Sequence, residues 1–229
     1  MEITWLGHGT VQLVLAGGET LIFDPWIDGN PAYPAGYSIR RCDTILVSHG
    51  HFDHIHDVVP LAKRFNPTVV GIYETCQWLG KKGVQQCAAM NKGGSQRVGS
   101  VTVTMVHAVH SCGITDDDGS IIYGGEAAGY VVRLEDGRAI YFAGDTNVFS
   151  DMALINELYE PELAFLPIGD LFTMGPREAA HACRLLKVKT VVPMHFGTFP
   201  PLTGRPETLQ KLAPETEIRE LKPGEPIIW

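Results

Sequence analysis

An α+β fold is what the sequence predicts, from three observations. Short β-branched and apolar runs of strand length recur along all 229 residues. Segments with helical apolar spacing lie between them, two with a proline near the start, where a first turn tolerates it. The strand-rich pattern before about residue 125 also resembles the pattern after it, which suits two similar halves. With 45% hydrophobic residues the chain can bury one sizeable core, so a single domain over residues 1–229 is expected.

Residues 3–6, 11–15 and 20–24 read as three strands, the last two joined by a Gly17-Gly18 turn, which gives an antiparallel opening. Residues 28–37 are rich in Pro and Gly and suit an irregular loop able to wall a cleft. A buried strand is expected at 44–48, with Gly50 letting the backbone turn sharply where it ends. A helix over 58–65, a strand at 69–72 and a helix over 74–82 follow. Residues 101–110 alternate like a strand, with the acidic loop Asp116-Asp117-Asp118-Gly119 beyond. Residues 130–134 and 139–142 form a hairpin about Asp136-Gly137. Helical spacing at 149–159, a strand at 163–166, a helix over 176–186 and a strand at 190–194 complete the body; a short helix from about 209 and a strand at 226–229 form the tail.

A formal charge of −8 argues against a broad nucleic-acid-binding face, so no nucleic-acid partner is expected. It leaves room for a small, anionic substrate, because bound divalent ions reverse the local field. The five cysteines are odd in number and include no Cys-x-x-Cys pair, which suits a reducing cytoplasm. No apolar run approaches the roughly 20 residues of a membrane span, and Met1 leads into Glu2-Ile3-Thr4-Trp5-Leu6 rather than a basic and then apolar leader. A cytoplasmic location is the expectation.

The chemistry gathers after the 44–48 strand, in His49-Gly50-His51-Phe52-Asp53-His54. Neutral imidazole with carboxylate suits zinc and its first-row neighbours. Four potential ligands this close rarely fit one ion with an open position, so His49 and His51 are assigned to one metal, Asp53 and His54 to a second beside it. Further ligands must come from distant parts of the chain, and strand ends supply His110, Asp145 and His195. His107 competes with His110; three residues apart, they point to opposite faces of a regular strand, and the place at the strand end favours His110.

The pattern His-x-His-x-Asp-His, then His110, Gly144-Asp145-Thr146 and the late His195, resembles the metallo-β-lactamase superfamily across essentially the whole chain. More narrowly, Trp5-Leu6-Gly7-His8-Gly9-Thr10, residues 166–170 with 173–176, and residues 193–199 resemble a bacterial and archaeal family of uncharacterised metal-dependent hydrolases related to ascorbate phosphate lactonase. The resemblance implies a four-layer αββα sandwich with its metals at one edge. It implies that His49, His51 and His110 hold the first ion, that Asp53, His54 and His195 hold the second, and that Asp145 bridges. Two divalent ions are expected, zinc first, with manganese, nickel or iron as alternatives, and a hydroxide between them would attack an ester, lactone or phosphodiester bond. His8 or Asp53 is the candidate for handling the leaving-group proton. Zinc β-lactamases commonly have a cysteine where this chain has Asp145, so antibiotic hydrolysis is not expected. Competing readings are a non-catalytic metal-binding module on the same fold and an iron or manganese redox enzyme.

Other polar residues have plainer expectations. Asp57 is expected to cap a helix or support a ligand, and His56 and His181 to face solvent. Asp170 is expected either to orient a histidine or to cap its own loop, and Cys112 to be no ligand.

Overall fold

In the computed structural model, which describes residues 1–229, the apolar runs become strands of two seven-stranded sheets, each in its own compact unit. Unit 1 comprises Met1–Asn91, Ser111–Ala127 and Leu221–Trp229; unit 2 comprises Lys92–His110 and Ala128–Glu220.

Unit 1 opens with β1 (Glu2–Trp5), β2 (Val11–Val14) and β3 (Thr20–Phe23), an antiparallel meander. From β3 the sheet turns parallel through β4 (Thr44–Leu46), β5 (Thr68–Ile72) and β6 (Cys87–Met90). Parallel pairing needs crossovers, and α2 (Val58–Phe65) and α3 (Tyr73–Lys81) provide two of them. Their apolar faces pack Val58, Leu61 and Leu79 against Ile22, Ile45 and Val69 of the sheet. Asn66, in a left-handed conformation at φ 50°, ends α2. The far-terminal strand β16 (Ile227–Ile228) pairs with β1. A separate hairpin, β9 (Gly113–Thr115) with β10 (Ile121–Tyr123), carries the acidic loop at its tip. Because β3, β4 and β5 run the same way, their carboxyl ends share one edge, where ligands in such sheets collect.

Unit 2 has the same plan. Strands β7 (Ser95–Val98), β8 (Val101–His107), β11 (Ala128–Arg133) and β12 (Ala139–Phe142) pair antiparallel. From β12 the sheet continues parallel through β13 (Leu163–Pro167), β14 (Thr190–Met194) and β15 (Glu217–Ile218). Helices α4 (Met152–Tyr159), α5 (Pro176–Leu186) and α6 (Pro206–Leu212) supply Met152, Ile155, Ala179, Cys183 and Leu209 to a core shared with Tyr141, Ala164 and Val191.

The two similar halves do not divide at about residue 125. Residues 92–110 belong with the second sheet, because β8 pairs along its length with β11. The strand expected over 101–110 stops at His107, leaving His110 on the following segment. The helix expected over 149–159 begins at Met152. Strands β6, β7, β9, β10 and β15 were not expected: Cys87–Met90 and Ser95–Val98 lack a β-branched apolar run, and the others are two or three residues long.

Candidate metal centre

The metal loop departs from β4 at its carboxyl end and is not loop throughout. Phe52–Ile55 forms a one-turn helix, α1, with His51 as its N-cap. The turn brings His54 back beneath the strand end, where its ring lies 4.1 Å from that of His49.

A buried carboxylate sets the orientation of both rings. Asp24, the residue after β3, accepts from the Ser48 backbone N–H at 2.7 Å, from Ser48 Oγ at 2.5 Å and from His54 Nδ1 at 2.8 Å. Burial pushes the Asp24 carboxyl above its ordinary value, and His54 and Ser48 pull against that shift. Ser48, having donated to Asp24, accepts from His49 Nδ1 at 2.9 Å. Both imidazoles thus hold their proton on Nδ1 toward protein, and each Nε2 carries a lone pair. His51 is fixed at the other nitrogen: its Nε2 lies 3.1 Å from Ser111 Oγ, leaving Nδ1 facing His49 Nε2 at 3.0 Å. In one tautomer His51 Nδ1 donates to His49 Nε2; in the other, both nitrogens present lone pairs to the same point, as two imidazole ligands of one ion do, so this donor set fits a transition metal.

The other ligand pair of the loop lies beside it. The ligand atoms of His8, Asp53 and His54 are within 4.8 Å of one another, and Asp53 Oδ2 is 3.8 Å from His54 Nε2. His8 is held between two glycines at φ 53° and donates from Nε2 to Asp53 Oδ2 at 2.9 Å. Gly9 makes room for the His54 ring, because a Cβ there would sit 2.9 Å from His54 Cε1. His8 is 0% exposed, and its ring nitrogen Nε2 is covered by Asp53.

In unit 2, Asp145 follows β12 and Gly144, whose φ of 61° turns the chain. Its Oδ2 lies 3.1 Å from His195 Nε2 and 3.7 Å from His110 Nε2. The segments carrying these residues are tied together: Val109 N donates to Thr146 Oγ1 at 3.0 Å, and Asn147 N to Val109 O at 3.2 Å. His195 has φ 56°, and a Cβ on Gly169 would collide with its carbonyl oxygen, so Gly169 is what lets β13's exit pass His195.

His107 is exposed, with Nδ1 3.2 Å from Lys92 Nζ and its ring against Phe149. Asp170 caps its own loop, accepting from Leu171 N at 2.7 Å, and orients no histidine. Asp57 makes no side-chain cap on α2; its carboxylate instead anchors Ile27 N at 2.6 Å and Asp28 N at 3.1 Å, with His56 Nδ1 at 3.0 Å. His181 is exposed beside Arg184. Cys112 is buried and structural: it accepts from Gly50 N and donates to Gly124 O, both at 3.3 Å. No disulfide joins the five cysteines, and burial pushes the Cys42 and Cys76 thiols up to about 12, so neither is a ready nucleophile.

A family model described as the β-lactamase superfamily domain matches residues 19–196. The chain belongs to the β-lactamase superfamily. Within the superfamily it is 68% identical to a UPF0173 metal-dependent hydrolase of Solibacter usitatus, over the full length of both. It is 45% identical to one of Methanopyrus kandleri, covering 98% of each. Igni18, a metallo hydrolase of the archaeon Ignicoccus hospitalis, matches with a TM-score of 0.85 at 31% identity, over 99% of this chain and 97% of that one. The two sheets with few helices are those of the metallo-β-lactamase fold, and the family is one of metal-dependent hydrolases. No helix is long and apolar enough to cross a membrane.

The residues that sequence reasoning missed are Asp24, Ser48 and Ser111. Asp24 carried a signal, as a carboxylate directly after a wholly buried strand, where only a ring of donors makes its burial tolerable.

Proposed function

We propose that the chain is a single-domain, dinuclear metal hydrolase that cleaves an ester, lactone or phosphodiester bond in a small molecule. His49, His51 and His110 are assigned to one ion, Asp53, His54 and His195 to the other, and Asp145 to both. The observation that carries the reading is the donor chain from His49 through Ser48 to Asp24, which makes His49 Nε2 an acceptor and sets it 3.0 Å from His51 Nδ1, so that two imidazole nitrogens converge on one point. A family model running without interruption across residues 19–196 supports treating both units as one domain.

When bound, two divalent ions supply a water acidic near neutral pH and polarise the oxygen of the scissile bond. The protein's own part is positioning. Asp24 and Ser48 hold His54 and His49 in the tautomer that can ligate, and Ser111 orients the His51 ring through its Nε2. His8 keeps Asp53 Oδ2 in place and holds a proton at Nε2 beside it. Because His8 is buried and the Asp53 side chain is 13% exposed, a proton destined for the leaving group passes through Asp53. Zinc is the first choice for an imidazole and carboxylate set, with manganese, nickel or iron as alternatives. A net charge of −8 weighs against nucleic acid as substrate, and the absence of disulfides supports a cytoplasmic location.

The test is turnover of ester, lactone and phosphodiester panels by protein of measured metal content. Hydrolysis that disappears on chelation and returns with added zinc or manganese is expected. No turnover on any panel with both metals bound would overturn the reading in favour of a non-catalytic metal module.

A further inference from the structure

Unit 1 exposes five large apolar side chains, three of them aromatic. They are Phe52, Tyr73, Ile121, Tyr123 and Ile228. Ile228 lies on the edge strand β16. Phe52 stands between His51 and Asp53, braced edge-on by the buried Trp26 at 5.5 Å, and Tyr73 is the first residue beyond β5. Ile121 and Tyr123 are on β10. Scattered apolar residues need no explanation, but aromatic side chains concentrated along the edge that carries the metal loop do.

Tyr73 and Tyr123, 55% and 70% exposed, open onto one groove between α3 and β10, with Trp78 and Ile122 also lining it. Its volume of ≈ 480 Å³ falls within the range of small-molecule sites. Charge gives it little pull for an ion of either sign. Lys82 is paired with Asp116 and with Asp117 and sits 5.2 Å over the Trp78 ring, while Glu74 and Lys81 offset one another. What the groove offers is flat aromatic surface.

The groove is also fixed in register with the metal loop. Cys112 joins Gly50 N to Gly124 O, and Thr75 Oγ1 of α3 donates to the same Gly124 O at 2.7 Å. Gly124 is required there, since a Cβ would collide with the Cys112 carbonyl oxygen. One residue before Cys112, Ser111 holds His51. The walls of the groove are therefore tied by hydrogen bonds to the loop that carries His49 and His51.

We infer that the groove between α3 and the β9–β10 hairpin is a subsite for an aryl group carried by the substrate, with Tyr73 and Tyr123 as its stacking walls. Its role in specificity rests on the hydrolase reading, whereas binding is measurable without turnover.

The experiment titrates naphthol, with cyclohexylmethanol as the non-aromatic comparison, into isotope-labelled full-length protein and follows amide and Trp78 indole N–H shifts. Saturable shifts at residues 73–82 and 121–125 are expected, with about fivefold weaker binding both for cyclohexylmethanol and for a folded Tyr73→Ala/Tyr123→Ala variant. Shifts that fall elsewhere, or naphthol affinity unchanged in the variant, would overturn the inference. In a second arm the zinc-loaded enzyme should prefer naphthyl acetate to ethyl acetate by about tenfold in kcat/KM, and the double variant should lose that preference. Hydrolysis of both esters without preference would also overturn it. Absence of all hydrolysis beside saturable naphthol binding would instead overturn the hydrolase reading, so the two failures are distinguishable.

Discussion

Asp24 Oδ2 accepts from His54 Nδ1 at 2.8 Å, and both side chains are wholly buried. The carboxylate spans two elements, since Asp24 directly follows β3 and His54 belongs to α1 beyond β4, and β3 and β4 are parallel neighbours. The same carboxylate reaches His49 through Ser48, so one buried charge orients two imidazoles.

Replacing Asp24 with Asn keeps an acceptor for Ser48 N but turns an NH₂ toward a nitrogen that already carries a proton, or leaves one donor without its acceptor. His54 then loses its tautomer preference and its anchored ring. Metal affinity should fall about 10- to 100-fold, the usual consequence of losing a group that supports a ligand. Ser48→Ala should reduce affinity less, because of the two histidines its hydroxyl contacts only His49, and the Asp24 bond to His54 remains. Isothermal titration with zinc checks both; equal affinity in Asp24→Asn and wild type would refute the role.

A second expectation separates His110 from His107. Strand alternation does not separate the two, since β8 ends at His107 and His110 lies beyond it. Position decides instead: His110 Nε2 lies 3.7 Å from Asp145, whereas His107 is exposed and engaged with Lys92. His110→Ala should lower zinc stoichiometry and His107→Ala should leave it unchanged, as measured by elemental analysis after dialysis.

How much of this was legible in the sequence follows from the range of each interaction. Strands β1 to β5, the β11–β12 hairpin, α2 and α5 announce themselves through local periodicity, and the observed bounds agree within a residue or two. The ligand candidates were legible because an imidazole at a strand end is costly without a purpose. Asp24 was legible only in part: its place after a buried strand is a local signal, but its hydrogen-bond partner lies 30 positions away. The β9–β10 hairpin was not legible: Gly113–Thr115 and Ile121–Tyr123 are too short to show a period, and their pairing is held in place by glycines that admit close backbone approach. The sorting of residues 92–110 into the second sheet depends on pairing with β11, which lies beyond any local window.

Two glycine substitutions should have opposite effects. At Gly50 a Cβ would meet Ile114 Cγ1 and lie 3.2 Å from the Cys112 carbonyl oxygen, in the tightest part of the metal loop. Gly50→Ala should therefore cost about 1–3 kcal/mol through forced displacement of packed groups. Gly80 lies in α3, and a methyl group added there would meet nothing within 4 Å. Gly80→Ala should gain up to about 1 kcal/mol from helix propensity. Urea unfolding of both variants checks the pair, with the sign difference as the readout.

The last expectation concerns Asp145, which follows β12 and places Oδ2 3.1 Å from His195 Nε2. Asp145→Asn keeps the shape and one carbonyl oxygen but removes the charge, so two cations would face each other with less neutralisation. The more weakly held ion should be lost first and hydrolysis with it. The fold should survive, because the residues of β12 beneath, Ala139–Phe142, are all buried and none depends on the carboxylate. Stability then gives a test of sign. A carboxylate that is only 3% exposed is costly to bury without a cation, so the metal-free variant should be as stable as metal-free wild type or more so. With zinc present the order should reverse, because binding to the native state stabilises wild type by mass action and the variant binds less. Thermal unfolding of both proteins with and without zinc measures the four states. An Asp145→Asn protein less stable than wild type even without metal would make the residue structural, and one stabilised by zinc as strongly as wild type would show that it holds no ion.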